Sequence, residues 1–288
     1  LLEKNYKVFG TVRRTSTPNT ERIKHILDKI TLLPADLLDQ SSLERAITAA
    51  APHEIYNLAA MSFVPTSFTE PIHCAEVTAL GVTRLLEAIC KVGPSIKFYQ
   101  ASSSEMFGGG RRLNEKSPLR PKSPYAIAKT HAHHTTINYR ERCGLFAVSG
   151  ILFNHESPRR GLEFVTRKIT DGVARIRLGI SKELILGNLD AERDWGWAPD
   201  YVQAMWLMLQ QKEPRDFVIA TSYSLSVSDF ARLAFSCVGL RWEDYVKTDR
   251  SLLRPVEVDN LEGDPSEAAT QLGWQPIATT GEMIQKMV

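Results

Sequence analysis

Apolar runs of five to nine residues recur along the chain, each ending in small or polar positions and most followed by helical spacing. Lys7–Arg13 reads as a strand that closes on Arg13-Arg14-Thr15-Ser16, and Asp28–Leu37 as a strand ending in Asp36. Ser41–Ala51 carries Leu43, Ala46, Ile47 and Ala50 at helical spacing, with Ser41 or Ser42 as its cap. Glu54–Ser62 reads as a buried strand running into Leu58, Ala59, Ala60 and Ser62. A long helix is predicted over 72–92, with Val77, Leu80, Leu85, Leu86 and Ile89 on its buried face. The strand Lys97–Ser103 follows, then a turn containing Gly108-Gly-Gly110, then a helix from Ser123 to about Cys143. Leu145–Phe153 is almost uninterrupted in apolar residues, as a parallel strand covered on both faces should be.

This alternation predicts an α/β fold: a doubly wound, Rossmann-type parallel sheet over 1–153. After Phe153 the pattern loosens. His155–Gly161 reads as a polar loop, Phe164–Leu178 as a basic amphipathic helix, and Glu183–Asp190 as a strand. Ala191–Trp197 reads as an aromatic, charged turn, Tyr201–Gln211 as a helix, Phe217–Ala220 as a strand, and Val227–Val238 as a helix capped by Ser226 or Ser228. Residues 154–288 are therefore expected to form a smaller α/β substrate domain, interleaved with the last strands of the sheet. The chain opens in what reads as the last helical turn before a strand, so another βα unit is expected ahead of Leu1.

Composition narrows the classes. A net charge of +2 over 288 residues gives no basic surface suited to nucleic acid or an anionic membrane. No apolar run approaches the roughly 18 residues of a spanning helix. Cys74, Cys90, Cys143 and Cys237 are scattered without a C-x-x-C pair, the usage of reduced thiols in a cytoplasmic protein. His131, His133 and His134 lie close together, but no carboxylate or thiol pattern completes a metal site, and none is expected.

In open parallel sheets, ligands sit at the carboxyl ends of the strands. The chemistry-bearing residues of this chain fall at those ends. Tyr125 and Lys129, four apart on a helix, share one face, so the ammonium is expected to lower the phenol's pKa and make it a base. Ser103 would hold a substrate oxygen beside them, and Glu105 would point to the same side as Ser103 on an extended backbone. A second base suits abstraction of a further proton, α to a carbonyl. Arg13 and Arg14 stand where an acid would select NAD, so they suit the 2′-phosphate of NADP. The cations Arg160, Lys168, Arg193 and Arg254, with Glu257, suit a pyrophosphate-bearing ligand.

These residues sit in longer runs: Lys97-Phe-Tyr-Gln-Ala-Ser-Ser-Ser-Glu-Met-Phe-Gly, Pro121-Lys-Ser-Pro-Tyr-Ala, Gly150-Ile-Leu-Phe-Asn-His-Glu-Ser-Pro-Arg-Arg-Gly, Leu186-Gly-Asn-Leu-Asp-Ala-Glu-Arg-Asp-Trp-Gly and Arg254-Pro-Val-Glu-Val-Asp. With them the chain resembles the GDP-mannose 4,6-dehydratase family of extended short-chain dehydrogenases/reductases, over nearly its whole length. The resemblance implies a lyase that converts GDP-mannose to GDP-4-dehydro-6-deoxy-mannose and water by internal hydride transfer through NADP. It implies Tyr125 as the base at the C4 hydroxyl, Glu105 as the base at C5, and Ser103, where the family usually has threonine, and Lys129 as their partners. NADP contacts are implied for Arg13, Arg14, Thr15, Ser16, Asp36, Leu37, Leu58, Ala59, Ala60, Ser62, His73, Tyr125, Lys129, His155 and Arg160. Substrate contacts are implied for Ser103, Asn154, Lys168, Gly187, Arg193, Arg254 and Glu257. His73 replaces a tyrosine frequent in the family, and Trp197 a smaller or more polar residue, which is expected to reshape the pocket rim. The family also implies a glycine-rich turn upstream of Leu1, and a homodimer or homotetramer. A nucleotide-sugar reductase or epimerase, and a nucleotide-binding paralogue without catalysis, remain as alternative readings.

Overall fold

The computed structural model describes every residue except Pro18. Strands β1 (Val8–Val12) and β2 (Ile30–Pro34) pair in parallel, with Val8 opposite Ile30. Helix α1 (Gln40–Ala50) starts one residue earlier than the serines suggested. Asp39 is its cap, accepting from the amides of Ser41 and Ser42, because a carboxylate meets the helix amides better than a hydroxyl. Strand β3 (Glu54–Asn57) ends before Leu58. Then come α2 (Val64–Thr69), α3 (Pro71–Cys74) and α4 (Gly81–Val92).

The long helix expected over 72–92 is interrupted by a π-helical stretch, Ala75–Leu80. The wider turn rotates the helix face, so Leu80 turns outward while Thr78 is buried and its hydroxyl accepts from the Met61 amide at 3.1 Å. A 3.6-residue period counted across this stretch mislabels Leu80 as core.

Strands β4 (Lys97–Ser103), β5 (Gly110–Leu113) and β6 (Ala147–Leu152) follow, with α5 (Pro124–Cys143) between β5 and β6. The second half adds β7 (Asn154–Glu156), α6 (Val165–Arg177), β8 (Leu184–Leu186), β9 (Glu192–Trp197), α7 (Ala198–Leu209), β10 (Phe217–Ile219) and β11 (Ser224–Ser226). It closes with α8 (Val227–Ser236), β12 (Val246–Thr248), β13 (Asn260–Gly263), α9 (Ser266–Leu272) and α10 (Thr280–Met287). Two segments expected as loop or turn, 154–156 and 192–197, are strands. They pair with each other in parallel, and β9 also pairs with β11 and β13. Long-range pairing of this kind leaves no local periodic signal.

Four parallel strands, in the order β10–β6–β4–β3, form the central sheet. Alternation along β4 explains its two covered faces. Phe98 packs with Leu43, Ile47, Leu86 and Ile89 from α1 and α4, while Tyr99 packs on the other face with Met205, Leu209 and Phe217. Each such fully buried large side chain contributes about 1.5–3 kcal/mol. A separate cluster, built on Ile169, Trp195, Phe230, Phe235, Met283 and Ile284, forms the core of the second half. The halves are interleaved: β10 returns to the central sheet, and β5 leaves the first half to pair with β13. Strands β3, β4 and β6, and the β1–β2 pair, deliver their carboxyl ends to loops bearing the candidate site residues.

Candidate active site

Strand β4 ends at Ser103, and the chain at once turns into a 3-10 helix, Ser104–Phe107. The Ser103 hydroxyl caps that turn by accepting from the Glu105 amide at 3.3 Å. Glu105 thus comes beside Ser103 through a helical turn, rather than through the extended alternation the spacing suggested. The turn must end sharply at Gly108, where φ is +71° and an added Cβ would lie 1.9 Å from the Arg120 carbonyl oxygen. Opposite, Pro124 occupies the first turn of α5 and the Ser123 hydroxyl accepts from the Ala126 amide at 3.1 Å, which fixes where Tyr125 enters the helix.

Tyr125 is buried, with the Ser103 hydroxyl near enough to its phenol to favour the ionised form. Burial pushes the phenol up to about 12 and the Glu105 charge adds to this, while the Ser103 hydroxyl and the Arg160 charge oppose it. The direction is opposite to that expected from the Tyr-x-x-x-Lys spacing. Lys129 Nζ lies 5.8 Å from the Tyr125 ring centre and donates to the Ala101 carbonyl at 2.8 Å. The Lys129 side chain is deeply buried, and desolvation brings its pKa down to about 8, so it still carries its charge at neutral pH.

Glu105 faces the cationic side of the second half. Arg254 Nη1 stands 3.5 Å from Glu105 Oε1, and the Arg254 amide donates to Glu257 Oε1 at 2.9 Å. Arg193 is buried and donates to the Val258 carbonyl at 2.8 Å; burial lowers its pKa, while the Glu105 charge supports its protonated form. Its neighbour Asp194 is fully buried and clamps the surrounding backbone, accepting from Thr221, Ser222 and Gly263 amides. Gly187, past β8, lies against Leu252: an added Cβ would stand 3.0 Å from the Leu252 carbonyl oxygen. Lys168 projects from α6, half-buried, and Asn154 opens β7.

His155 stacks on Tyr201 at 4.8 Å, with Nδ1 2.8 Å from the Phe153 carbonyl, and burial takes its pKa down to about 4. Arg160 stacks on Phe164 at 3.6 Å and faces Glu156 at 3.3 Å, yet its buried Nε–H points at no acceptor. Arg13, Arg14, Thr15 and Ser16 are exposed beyond β1, and Leu58, Ala59 and Ser62 beyond β3, with Ala60 half-buried. The Asp36 carboxylate accepts from the Leu38 amide at 3.0 Å, and the Leu37 side chain packs in the core against Gly81. His73 is exposed on the single turn of α3. Trp197 packs against the second-half core, with Lys286 5.0 Å from its ring centre, so it takes part in docking α10. Among the described residues no group of three or more His, Cys, Asp and Glu side chains is arranged to hold a metal ion. His133 instead hydrogen-bonds Ser102 at 3.1 Å, a contact that the sequence reading missed although 125, 129 and 133 repeat every four residues.

A doubly wound parallel sheet that gathers serine, tyrosine, lysine and a carboxylate at its carboxyl edge defines an extended short-chain dehydrogenase/reductase. Solved structures agree on the fold. A dTDP-glucose 4,6-dehydratase from Bacillus anthracis in complex with NAD superposes with a TM-score of 0.86 at 21% identity, covering 99% of this chain and 87% of that one. RMD from Pseudomonas aeruginosa complexed with NADPH gives 0.82 at 22% identity, covering 98% and 97%. The sequence is more specific: the GDP-mannose 4,6 dehydratase family profile matches residues 1–287, and the chain belongs to that family. It is 51% identical to GDP-mannose 4,6 dehydratase 2 of Arabidopsis thaliana over 301 residues, all of this chain and 81% of the relative. It is 45% identical to the human GDP-mannose 4,6 dehydratase over 317 residues, all of this chain and 85% of that one.

Proposed function

We propose that this protein converts GDP-mannose to GDP-4-dehydro-6-deoxy-mannose and water with NADP as a recycled cofactor. The observation that carries the reading is Glu105, in the 3-10 turn that Ser103 caps, with its charge acting on the Tyr125 phenol and facing Arg254 and Arg193. Two proton-transfer groups and two cations at one strand end suit an elimination on a diphosphate-linked sugar better than a simple oxidation.

The residues present fit a nicotinamide dinucleotide. Arg160 Nε is ion-paired with Glu156 at 3.3 Å, and Lys129 uses one bond to Ala101 and has two further N–H groups for a ribose. Exposed Arg13 and Arg14 favour the 2′-phosphate of NADP over NAD. When bound, the nicotinamide supplies a reversible hydride acceptor. Tyr125 takes the C4 hydroxyl proton while Ser103 holds that oxygen. The resulting C4 ketone acidifies C5–H, and Glu105 removes that proton and passes it to the C6 hydroxyl, which leaves as water; the hydride taken from C4 would then be given back at C6 while C5 regains a proton from solvent, which completes the 6-deoxy-4-keto sugar. Arg193 and Arg254 neutralise the nucleotide's diphosphate, and Arg254 also orients Glu105.

Turnover of GDP-mannose with catalytic NADP, giving a 4-keto sugar without net NADPH change, tests the reading. Stoichiometric NADPH consumption without dehydration would mark a reductase, and binding without turnover a non-catalytic paralogue. Among the described residues no helix is long and apolar enough to cross a membrane. The cysteines are free thiols, which suits a reducing cytoplasm, and assembly as a dimer or tetramer is testable by sedimentation.

A further inference from the structure

Helix α5 meets the site-bearing strand through an unusual surface. Of its eight buried residues, three are alanines, Ala126, Ala128 and Ala132. Such shallow knobs set helix register poorly, because a small side chain slides past its neighbours with little steric resistance. Three polar side chains at four-residue intervals reach β4 instead. Lys129 donates to the Ala101 carbonyl at 2.8 Å, His133 Nδ1 lies 3.1 Å from Ser102 Oγ, and the Tyr125 phenol stands near the Ser103 hydroxyl. The strand residues reached are consecutive, 101 to 103, and they lead directly into Glu105.

We propose that His133 is a positioning residue: its bond to Ser102 locks α5 on β4 so that Tyr125 stands on Ser103. Lys129 and Tyr125 are committed to chemistry and must exchange partners during turnover, whereas His133 and Ser102 lie behind the site, both nearly fully buried, and keep their bond throughout. On its other side His133 lines a cavity together with Ile151, Arg140 and Asp216, the last two paired at 2.9 Å, so the Ser102 bond is the contact that orients the ring. The proposal rests on the dehydratase reading for what Tyr125 does; the register it assigns to His133 does not.

The test uses variants that differ in where they place a hydrogen-bonding atom. His133→Phe keeps the ring and removes Nδ1. His133→Asn restores a polar atom near the Nδ1 position, while His133→Gln places it near Nε2. We expect His133→Phe to lower kcat for GDP-mannose about ten- to hundred-fold, as a misplacement near 1 Å does, with KM changed about two-fold or less. His133→Asn should recover most of kcat and His133→Gln little. Ser102→Ala should match His133→Phe, and the double variant should lose no more than either alone. Amide hydrogen exchange over 101–105 and 123–133 should rise in His133→Phe and Ser102→Ala and return in His133→Asn, a readout that needs no substrate. Wild-type inactivity with this exchange pattern would count against the dehydratase reading alone. A folded His133→Phe with wild-type kcat and unchanged exchange would overturn the proposal, as would equal recovery by Asn and Gln. Should His133→Phe fail to fold, Ser102→Ala, which removes the same bond with the smallest change, decides by the same readouts.

Discussion

Replacing Glu105 by Gln separates the two halves of the proposed reaction. The amide is isosteric, keeps the 3-10 turn that Ser103 caps, and leaves Tyr125, Ser103 and Lys129 in place. It cannot take a proton from C5, and it removes the charge 3.5 Å from Arg254. A positioned general base contributes about 10²–10⁴ in rate, which is about 3–5 kcal/mol of barrier at 1.36 kcal/mol per tenfold. The Glu105 charge also raises the Tyr125 phenol, so its loss makes the phenol slightly easier to ionise and should leave C4 oxidation at least as fast. Rapid mixing with GDP-mannose and NADP should therefore show near-ultraviolet absorbance of reduced nicotinamide rising to about one equivalent in Glu105→Gln and remaining low in the wild type. Mass spectrometry in heavy water should find deuterium at C5 of recovered sugar in the wild type and almost none in the variant. Turnover within about threefold of the wild type, or loss of the absorbance change as well, would refute the assignment of Glu105 to C5 and of Tyr125 to C4.

Lys129→Met should abolish activity yet raise stability at neutral pH. The unfolded chain holds the lysine proton to about pH 10.5, whereas the folded protein releases it near 8, so wild-type stability rises between those pH values. The buried charge costs up to about 3 kcal/mol below pH 8, and chemical denaturation of the variant at pH 7 and 10.5 should show the gain only at the lower pH. Asp194 titrates near 6 in the fold because burial outweighs its hydrogen bonds, so wild-type stability should fall as pH rises from about 4 to 6. Asp194→Asn should flatten that dependence and cost about 1–3 kcal/mol, since its amide nitrogen faces backbone donors. Gly108→Ala, with its Cβ forced onto the Arg120 carbonyl, should lower stability by several kcal/mol and kcat more than KM, read by thermal denaturation and steady-state kinetics.

How much of this was legible without coordinates varies with the range of the interaction involved. The alternation of apolar runs and helical spacing was enough for a doubly wound sheet, since burial on both faces imposes an almost unbroken apolar pattern on β6. The same pattern located Ser103, Glu105, Tyr125 and Lys129, because strand ends and a four-residue helical repeat are local properties of the chain. Charge and cysteine spacing likewise needed no fold to be read.

Other features were decided only by tertiary packing. β7 and β9 exist through pairing with each other, β5 joins a partner about 150 residues away, and the π-helical stretch before α4 turns Leu80 outward, none of which leaves a local period. The direction of the Tyr125 shift followed the same rule. The sequence places a lysine four residues away, but how far each group is buried, and which carbonyl the ammonium takes, depends on where α5 lies on β4. Sequence spacing determines which residues can meet; desolvation and long-range hydrogen bonds, which exist only once the chain is packed, determine what those residues do to each other.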